Sequence, residues 1–365
     1  LAMAGLEPVV AQILQAFLTA GSVLIVHKLA LELFATDRDS ERAAIASPIA
    51  TRIATGAALL AAVWPNQARF EIALLPDGLT TLVMLSFALF LKRYLRTRAM
   101  RPLLSASVML GLSIFLRPDL VLFPAFFFVV ALVALTPREA LRGTIVMGLA
   151  LALTIGINTW KNYALSGEIV PLNLGSGTTM YEGISQFGDT LGTTYADERL
   201  AHNVFNTKEL FYPNGVQNDR MAMRTAIDTI KHHPGFYASV VLRRLPLLFT
   251  VRGLYFSDTA SLSDPKNDLA KRFPGKYIAM FREHPVEAAV RILSPLAGWL
   301  VVILGFVGLA MGLGRERTAH LGVALLLFYF IVTHLATNVE PRYFYPAVPL
   351  LYPYVLRVIF RRSVG

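Results

Sequence analysis

The sequence predicts an all-α polytopic membrane protein, with about nine transmembrane helices and a large extracytoplasmic loop that carries amphipathic and interfacial helices. Three observations carry that reading. First, 55% of the 365 residues are hydrophobic and only 16% are charged, whereas an ordinary soluble domain is roughly a quarter charged. Second, apolar runs of bilayer length, about 20 residues, recur along most of the chain. Third, those runs are rich in Gly and Pro and lack the alternating segments of about ten residues that mark a transmembrane β-barrel. The chain has no cysteine, which excludes a disulfide framework and a thiolate metal site. Its net charge of +10 sits in loop arginines and lysines, the pattern of basic cytoplasmic loops rather than of a nucleic-acid partner.

The spans follow in order as 8–31, 53–75, 78–92, 103–117, 119–136, 142–158, 292–311, 319–337 and 343–360. Several are short, which implies tilt or local thinning of the bilayer. The chain thus divides into N-terminal helices (1–158), an extracytoplasmic loop (159–291) and C-terminal helices (292–365). Its first residues, LAMAGLEPVV, read neither as a signal peptide nor as an initiator region, so a further span and outer loop are expected upstream of Leu1.

Charge assigns the sides. KRYLRTRAMR (92–101) holds Lys92, Arg93, Arg96, Arg98 and Arg101 without an acid and is expected to be cytoplasmic. Residues 65–77, 117–119 and 159–235 then lie outside, while Arg138, Arg142, Arg315, Arg317 and the basic tail lie inside. Counting back from the tail also puts 256–291 outside, so the apolar stretch FYASVVLRRLPLLFTV (236–251) has no crossing left to make. It carries Arg243, Arg244 and Pro246 at its centre, and two arginines at mid-bilayer cost several kcal/mol. An interfacial or half-inserted helix fits better. The alternative is that 236–255 spans and one further crossing follows.

The outer turns hold the candidate chemistry. In GLSIFLRPDLVLFPAFFF, Arg117-Pro118-Asp119 reads as a tight hairpin between a rising and a descending helix. Asp119 there favours the positive end of the descending helix. Arg117 is then either a snorkelling turn residue or a partner for an anionic group such as a lipid phosphate. PNQARFEIALLPDGL adds Asn66, Arg69, Glu71 and Asp77; NTWKNYALSGEIVPL adds Asn158, Lys161 and Asn162; NVEPRYFYP adds Glu340, Arg342 and Tyr343. Four such turns on one side point to a cavity for an anionic substrate.

Within the outer loop, LGSGTTMYEG lacks the lysine ending of a phosphate loop and reads as a plain flexible loop. NDRMAMRTAIDTIKHHP reads as an amphipathic helix, capped by Asn218 or Asp219, with Met223, Ile227 and Ile230 on its apolar face and Pro234 ending it. His232 and His233 are neighbours, not an i, i+4 pair, and read as surface histidines rather than metal ligands.

Together these stretches resemble the GT-C membrane glycosyltransferases, in the bacterial branch related to protein O-mannosyltransferases and lipid A aminoarabinose transferases. The resemblance rests on the acidic turn ending in Asp77, the Gly-Leu…Arg-Pro hairpin at Arg117, the Trp160–Tyr163 entry to the loop, the His-Pro helix end in AIDTIKHHPGFY and the Arg-Tyr-x-x-Pro turn in EPRYFYPAVPLL. It covers nearly the whole chain in order. It departs at Lys161, where arginine is common. It departs also in the family's principal acid, which belongs to a first outer loop and is expected upstream of Leu1.

The resemblance implies a multi-pass protein of the plasma (inner) membrane with its active site facing the extracytoplasmic side. It would transfer a sugar from a polyprenyl-phosphate donor to a glycan, lipid or protein acceptor, with inversion. A carboxylate would accept the acceptor hydroxyl's proton, and cations would meet the leaving phosphate. On this basis Arg117, Lys161 and Arg342 are assigned to the carrier phosphate, with Arg243, Arg244, Arg69, Asn162 and Tyr343 as further substrate contacts. Asp77, and more weakly Glu71, would orient or polarise the sugar or acceptor, with the acid upstream of Leu1 as the base. Some members of the family use a divalent metal and others do not, and its ligands would include the acid expected upstream of Leu1. A transporter or flippase for an anionic or lipid-linked substrate, and a degenerate non-catalytic relative, are the competing readings.

Overall fold

The helix ends are written in local chemistry. Ser47 accepts from the Ala50 amide ahead of Pro48, and Thr136 and Glu139 form a reciprocal capping box ahead of Pro137. Gly167, at φ +70°, closes the helix that Pro137 opens. In the computed structural model, residues 8–34, 47–64, 76–188, 191, 193–194, 200–207, 214–249, 282, 285–340 and 343–360 are described. They form α1 (Pro8–Phe34), α2 (Pro48–Val63), α3 (Asp77–Thr97), α4 (Met100–Leu116), α5 (Phe123–Ala131), α6 (Pro137–Ser166), α7 (Ser176–Ile184), α8 (Gly215–His232), α9 (Pro234–Leu248), α10 (Pro285–Arg315), α11 (Arg317–Ala336) and α12 (Tyr352–Ile359). Short 3₁₀ turns at Pro118–Leu120 and Tyr345–Leu350 and a π turn at Leu200–Phe205 complete them, and no strand occurs among the described residues.

Five helices are long and apolar enough to cross a membrane: α1, α3, α6, α10 (from Pro295) and α11. They support an all-α membrane protein, but not the full count of about nine spans. The shortfall has physical causes. α2 and α4 have 16 and 17 residues, about 24–26 Å of helix against a hydrocarbon core of about 30 Å. The expected span 119–136 is broken by the 3₁₀ turn at Pro118 and leaves nine residues in α5. The expected last span divides at Leu351, between the 3₁₀ turn and α12. The distal part of 53–75 and most of 251–284 lie outside the described residues.

α3 is the hub of the bundle. Its apolar window is 67% buried, against 22% for α1 and α6, and it packs on α1, α4, α11 and the Tyr345–Leu350 turn. α6 instead presents Leu141, Ile145, Leu149, Leu153 and Ile157 outward at four-residue steps, the face a lipid environment accepts. The basic ends gather at one end of the bundle. Glu32, at the close of α1, receives the Lys92 ammonium and the Arg93 guanidinium from the close of α3. At that same end Arg98 donates to the Ala134 carbonyl, and Arg357 of α12 lies over the Phe34 ring.

The loop region has its own small core of Tyr181, Ile184, Leu200, Phe205, Ala222 and Ala226. Here three expectations are corrected. LGSGTTMYEG is not a plain loop: all of it from Ser176 onward lies in α7. α8 starts earlier than expected, at Gly215, and Asp219 caps α7 instead of α8. The buried face of α8 is the small-residue stripe Asn218, Ala222 and Ala226, while Ile227 is exposed and Met223 and Ile230 are half-buried. The reason is close packing. A Cβ at Gly177 would lie 1.9 Å from the Asp219 carbonyl oxygen, and one at Gly183 would lie 2.0 Å from that of Thr337. Glycine at both positions lets α7 press directly on backbone, which favours small side chains opposite.

α9 holds the described part of the expected interfacial stretch, through Leu248, and its 15 residues are too few to cross a bilayer; residues 250–255 lie outside the described residues. It packs against α11 through a face that includes Val240, Arg244 and Leu248.

Candidate functional site

At the end of the bundle opposite Lys92, α3 begins with Asp77 and α4 ends at Arg117. Pro118 disfavours helix at Arg117, which adopts an extended conformation (φ −152°, ψ 127°) and turns its side chain back over the start of α3. Arg117 Nη1 donates to Asp77 Oδ1 at 2.8 Å, and the Asp77 side chain is 3% exposed. Arg117 Nε lies 3.0 Å from Asp119 Oδ2, but off the hydrogen-bond direction, so this buried oxygen accepts no hydrogen bond among the described residues. The Tyr343 ring lies under the Arg117 guanidinium at 4.7 Å, and the Tyr343 hydroxyl donates to Glu340. Asp119 therefore does not serve as a simple helix cap. Its backbone carbonyl accepts from the Tyr329 hydroxyl, which in turn accepts from the Leu122 amide.

His334, near the end of α11, completes the group. Its Nδ1 donates to the Phe330 carbonyl at 2.8 Å, which leaves Nε2 facing Asp119 Oδ2 at 3.7 Å. Its ring packs on Phe330 and on Tyr343. Two carboxylates, an imidazole and a guanidinium thus meet against an aromatic wall. Such a set can accept a proton and can hold an anion. Among the described residues no three His, Cys, Asp or Glu side chains converge to hold a metal ion.

A second layer fixes the segment after α11. Gln186, just past α7, donates through Nε2 to the Val339 carbonyl and accepts from the Val339 amide at 3.4 Å. Its Oε1 also accepts from Arg244 Nε at 3.0 Å, and Arg244 Nη1 donates to the Leu335 carbonyl at 2.7 Å. The Tyr237 hydroxyl donates to the Ala336 carbonyl. Burial raises the Tyr237 phenol above its usual range, with the Arg244 cation opposing.

The sequence-predicted residues divide accordingly. Asp77, Arg117 and Tyr343 come together. Arg244 is fully buried and clasps the end of α11, so it offers no exposed face to a substrate here. Arg243 is exposed and stacks on Phe187 at 4.1 Å. Asn162 ties the chain reversal after α6 by donating to the Val170 and Leu172 carbonyls, as Asn158 does to Pro171. Lys161 is exposed on the last turns of α6. Arg69, Glu71 and Arg342 lie outside the described residues, as does Asn66. His232 donates to the Asp228 carbonyl of its own helix. Two grooves of about 490 and 300 Å³ flank the last turns of α6, lined respectively by Trp160, Tyr163 and Ile169 and by Asn162, Leu172 and Val216. Neither includes a residue of the cluster.

Sequence reasoning missed His334 and Gln186. His334 had a signal, since an ionisable residue inside an apolar span is costly enough to need a purpose. Gln186 had none, because its partner is 153 positions away and is backbone. Comparison with protein-family models, with curated proteins and with solved structures finds no match for this chain.

Proposed function

We propose that the chain is an integral membrane glycosyltransferase of the GT-C type. It moves a sugar from a polyprenyl-phosphate donor to an acceptor on the extracytoplasmic face by inverting displacement. One observation carries the reading: the buried Asp77–Arg117–Asp119 cluster lies at the end of the bundle opposite the basic Glu32–Lys92–Arg93 end. It is built from the same acidic turn and Arg-Pro hairpin that carry the family resemblance. On this reading the basic end is cytoplasmic by the positive-inside rule and the cluster faces outward. Arg117 meets the carrier phosphate, and Asp77 orients the acceptor or sugar. The donor's isoprenoid chain and surrounding lipid are the partners, and the acceptor is a glycan, lipid or protein.

The arrangement of charge favours this reading over an ion-coupled transporter, which places ionisable groups near the midplane. Between Asp77 and Lys92, the buried polar residues of α3 are Thr80, Thr81 and Ser86 alone, with no charge among them. A non-catalytic relative has one observation in its favour, namely that Arg117 already faces two carboxylates.

Deleting the gene tests the proposal. Mass spectrometry of extracted lipids is expected to show a polyprenyl-phosphate sugar accumulating, with the accumulation reversed by wild type and not by Asp77→Asn expressed at the same level. Unchanged lipid-linked sugars in the deletion, or full rescue by Asp77→Asn, would overturn the reading or the role of Asp77, respectively.

A further inference from the structure

The two carboxylates at Arg117 are held unequally. Asp77 takes a well-formed charge-assisted hydrogen bond at 2.8 Å. Asp119 Oδ2 lies as near, at 3.0 Å, but accepts no hydrogen bond among the described residues. A buried charged oxygen without a hydrogen bond is costly, and it gains most from a new partner. That partner is in place: Nε2 of His334 lies 3.7 Å from the same oxygen. The imidazole is oriented by its Nδ1–H bond to the Phe330 carbonyl, so Nε2 is the atom left to gain a proton. At 3.7 Å the contact is longer than the roughly 2.7–2.9 Å of a charge-assisted bond, so a small approach of the two side chains would close it.

We infer that Asp119 is a displaceable counter-ion, which passes from Arg117 to His334 when a phosphate-bearing ligand takes the Nε edge of Arg117, with His334 gaining one proton from solvent. The inference rests on the proposed reading only in taking the ligand to be a phosphate. Charge balance among these four groups favours the exchange. Asp77, Arg117 and Asp119 with neutral His334 carry a net charge of −1, which repels an anion. Protonating His334 brings the group to neutrality and gives Asp119 a cation that the incoming phosphate does not use. The other polar and titratable groups around His334 fit this assignment. Tyr343 shields the imidazole on one side, and its hydroxyl is engaged by Glu340. On its own helix Tyr329 is committed to Asp119 and Leu122. From α9, Tyr237 and Arg244 reach the Ala336 and Leu335 carbonyls. Asp119 is thus the acceptor that the structure offers to a protonated Nε2.

Calorimetric titration of the full-length protein in lipid nanodiscs tests the switch. The probes are farnesyl phosphate and inorganic phosphate, with farnesol as the uncharged control, measured in two buffers of different ionisation enthalpy. Wild type is expected to take up about one more proton per farnesyl phosphate bound than His334→Gln does. Asp119→Asn is expected to lose the same uptake while binding several-fold more tightly, because the competing carboxylate is gone. The pair of variants guards against misfolding of the buried histidine substitution. Equal binding of inorganic phosphate would identify a free phosphate as the ligand and leave the exchange supported. Phosphate binding with the same proton uptake in wild type and both variants would overturn the switch without touching the transferase reading. Failure of both anions to bind wild type would overturn it as well. Proton-linked binding in a protein that transfers no sugar would retain the switch and remove the transferase.

Discussion

The Gln186 side-chain amide pairs with both backbone groups of Val339, the way a neighbouring strand would. Because Gln186 also accepts from Arg244 Nε, one side chain joins α7, α9 and the segment that leads to Glu340 and Tyr343. Gln186→Ala is therefore expected to lower the apparent melting temperature in detergent. Each buried group left unsatisfied costs about 1–3 kcal/mol. The same variant should expose residues 337–340 to proteases. Unchanged melting and cleavage would show that the clasp contributes nothing.

The Arg117–Asp77 pair predicts a non-additive series. Arg117→Gln strands a carboxylate that is 3% exposed, a loss of roughly 3–5 kcal/mol. Adding Asp77→Asn removes the stranded charge and should recover much of that stability, although not activity. A thermal-unfolding double-mutant cycle reads the coupling, and simple additivity would contradict the pair.

Asp219 predicts a local effect. Its Oδ1 accepts from the Gly175, Gly177 and Thr178 amides at 2.9–3.2 Å, so a carboxylate already fills the N-terminus of α7. Asp219→Ala should cost about 1–2 kcal/mol and speed amide exchange at 175–184 by hydrogen–deuterium mass spectrometry. Protection that stays at the wild-type level would show the amides have another acceptor.

The proposed orientation can be checked directly, because the chain has no cysteine of its own. Lys161→Cys is expected to react with a membrane-impermeant maleimide on intact cells or spheroplasts, and Arg101→Cys only after permeabilisation. Both side chains are exposed. The opposite pattern would invert the topology and move the cluster to the cytoplasmic side.

How much of this was legible beforehand depended on the range of each interaction. The helical class and the hairpin at Arg117-Pro118-Asp119 follow from composition and from proline's fixed geometry, both local properties. Asp77 and Arg117 could each be singled out because a charged residue bordering an apolar run needs a reason. Their pairing could not, since it joins the start of one helix to the end of the next. The role expected of Arg244 was misread for a related reason. An arginine in an apolar stretch reads as a headgroup partner, yet here the side chain is buried and donates to the Leu335 carbonyl, 91 positions away, and to Gln186. α7 was hidden because glycine-rich sequence normally signals a turn. In this fold the same glycines serve helix-to-backbone contact at Asp219 and Thr337.

α3 begins at one ion cluster and ends at the other. Asp77 and Lys92 lie about 22 Å apart along its axis at 1.5 Å per residue. An acid at its start and bases at its close also match the direction of the helix dipole. The helix is thereby anchored like a tie rod bolted at both faces. A shift by a single turn would tear Asp77 from Arg117 and Lys92 from Glu32 in the same movement. Rearrangement at the Asp77 end must accordingly come from the parts around α3, the hairpin at Pro118 and the segment after α11, while the rod itself stays still.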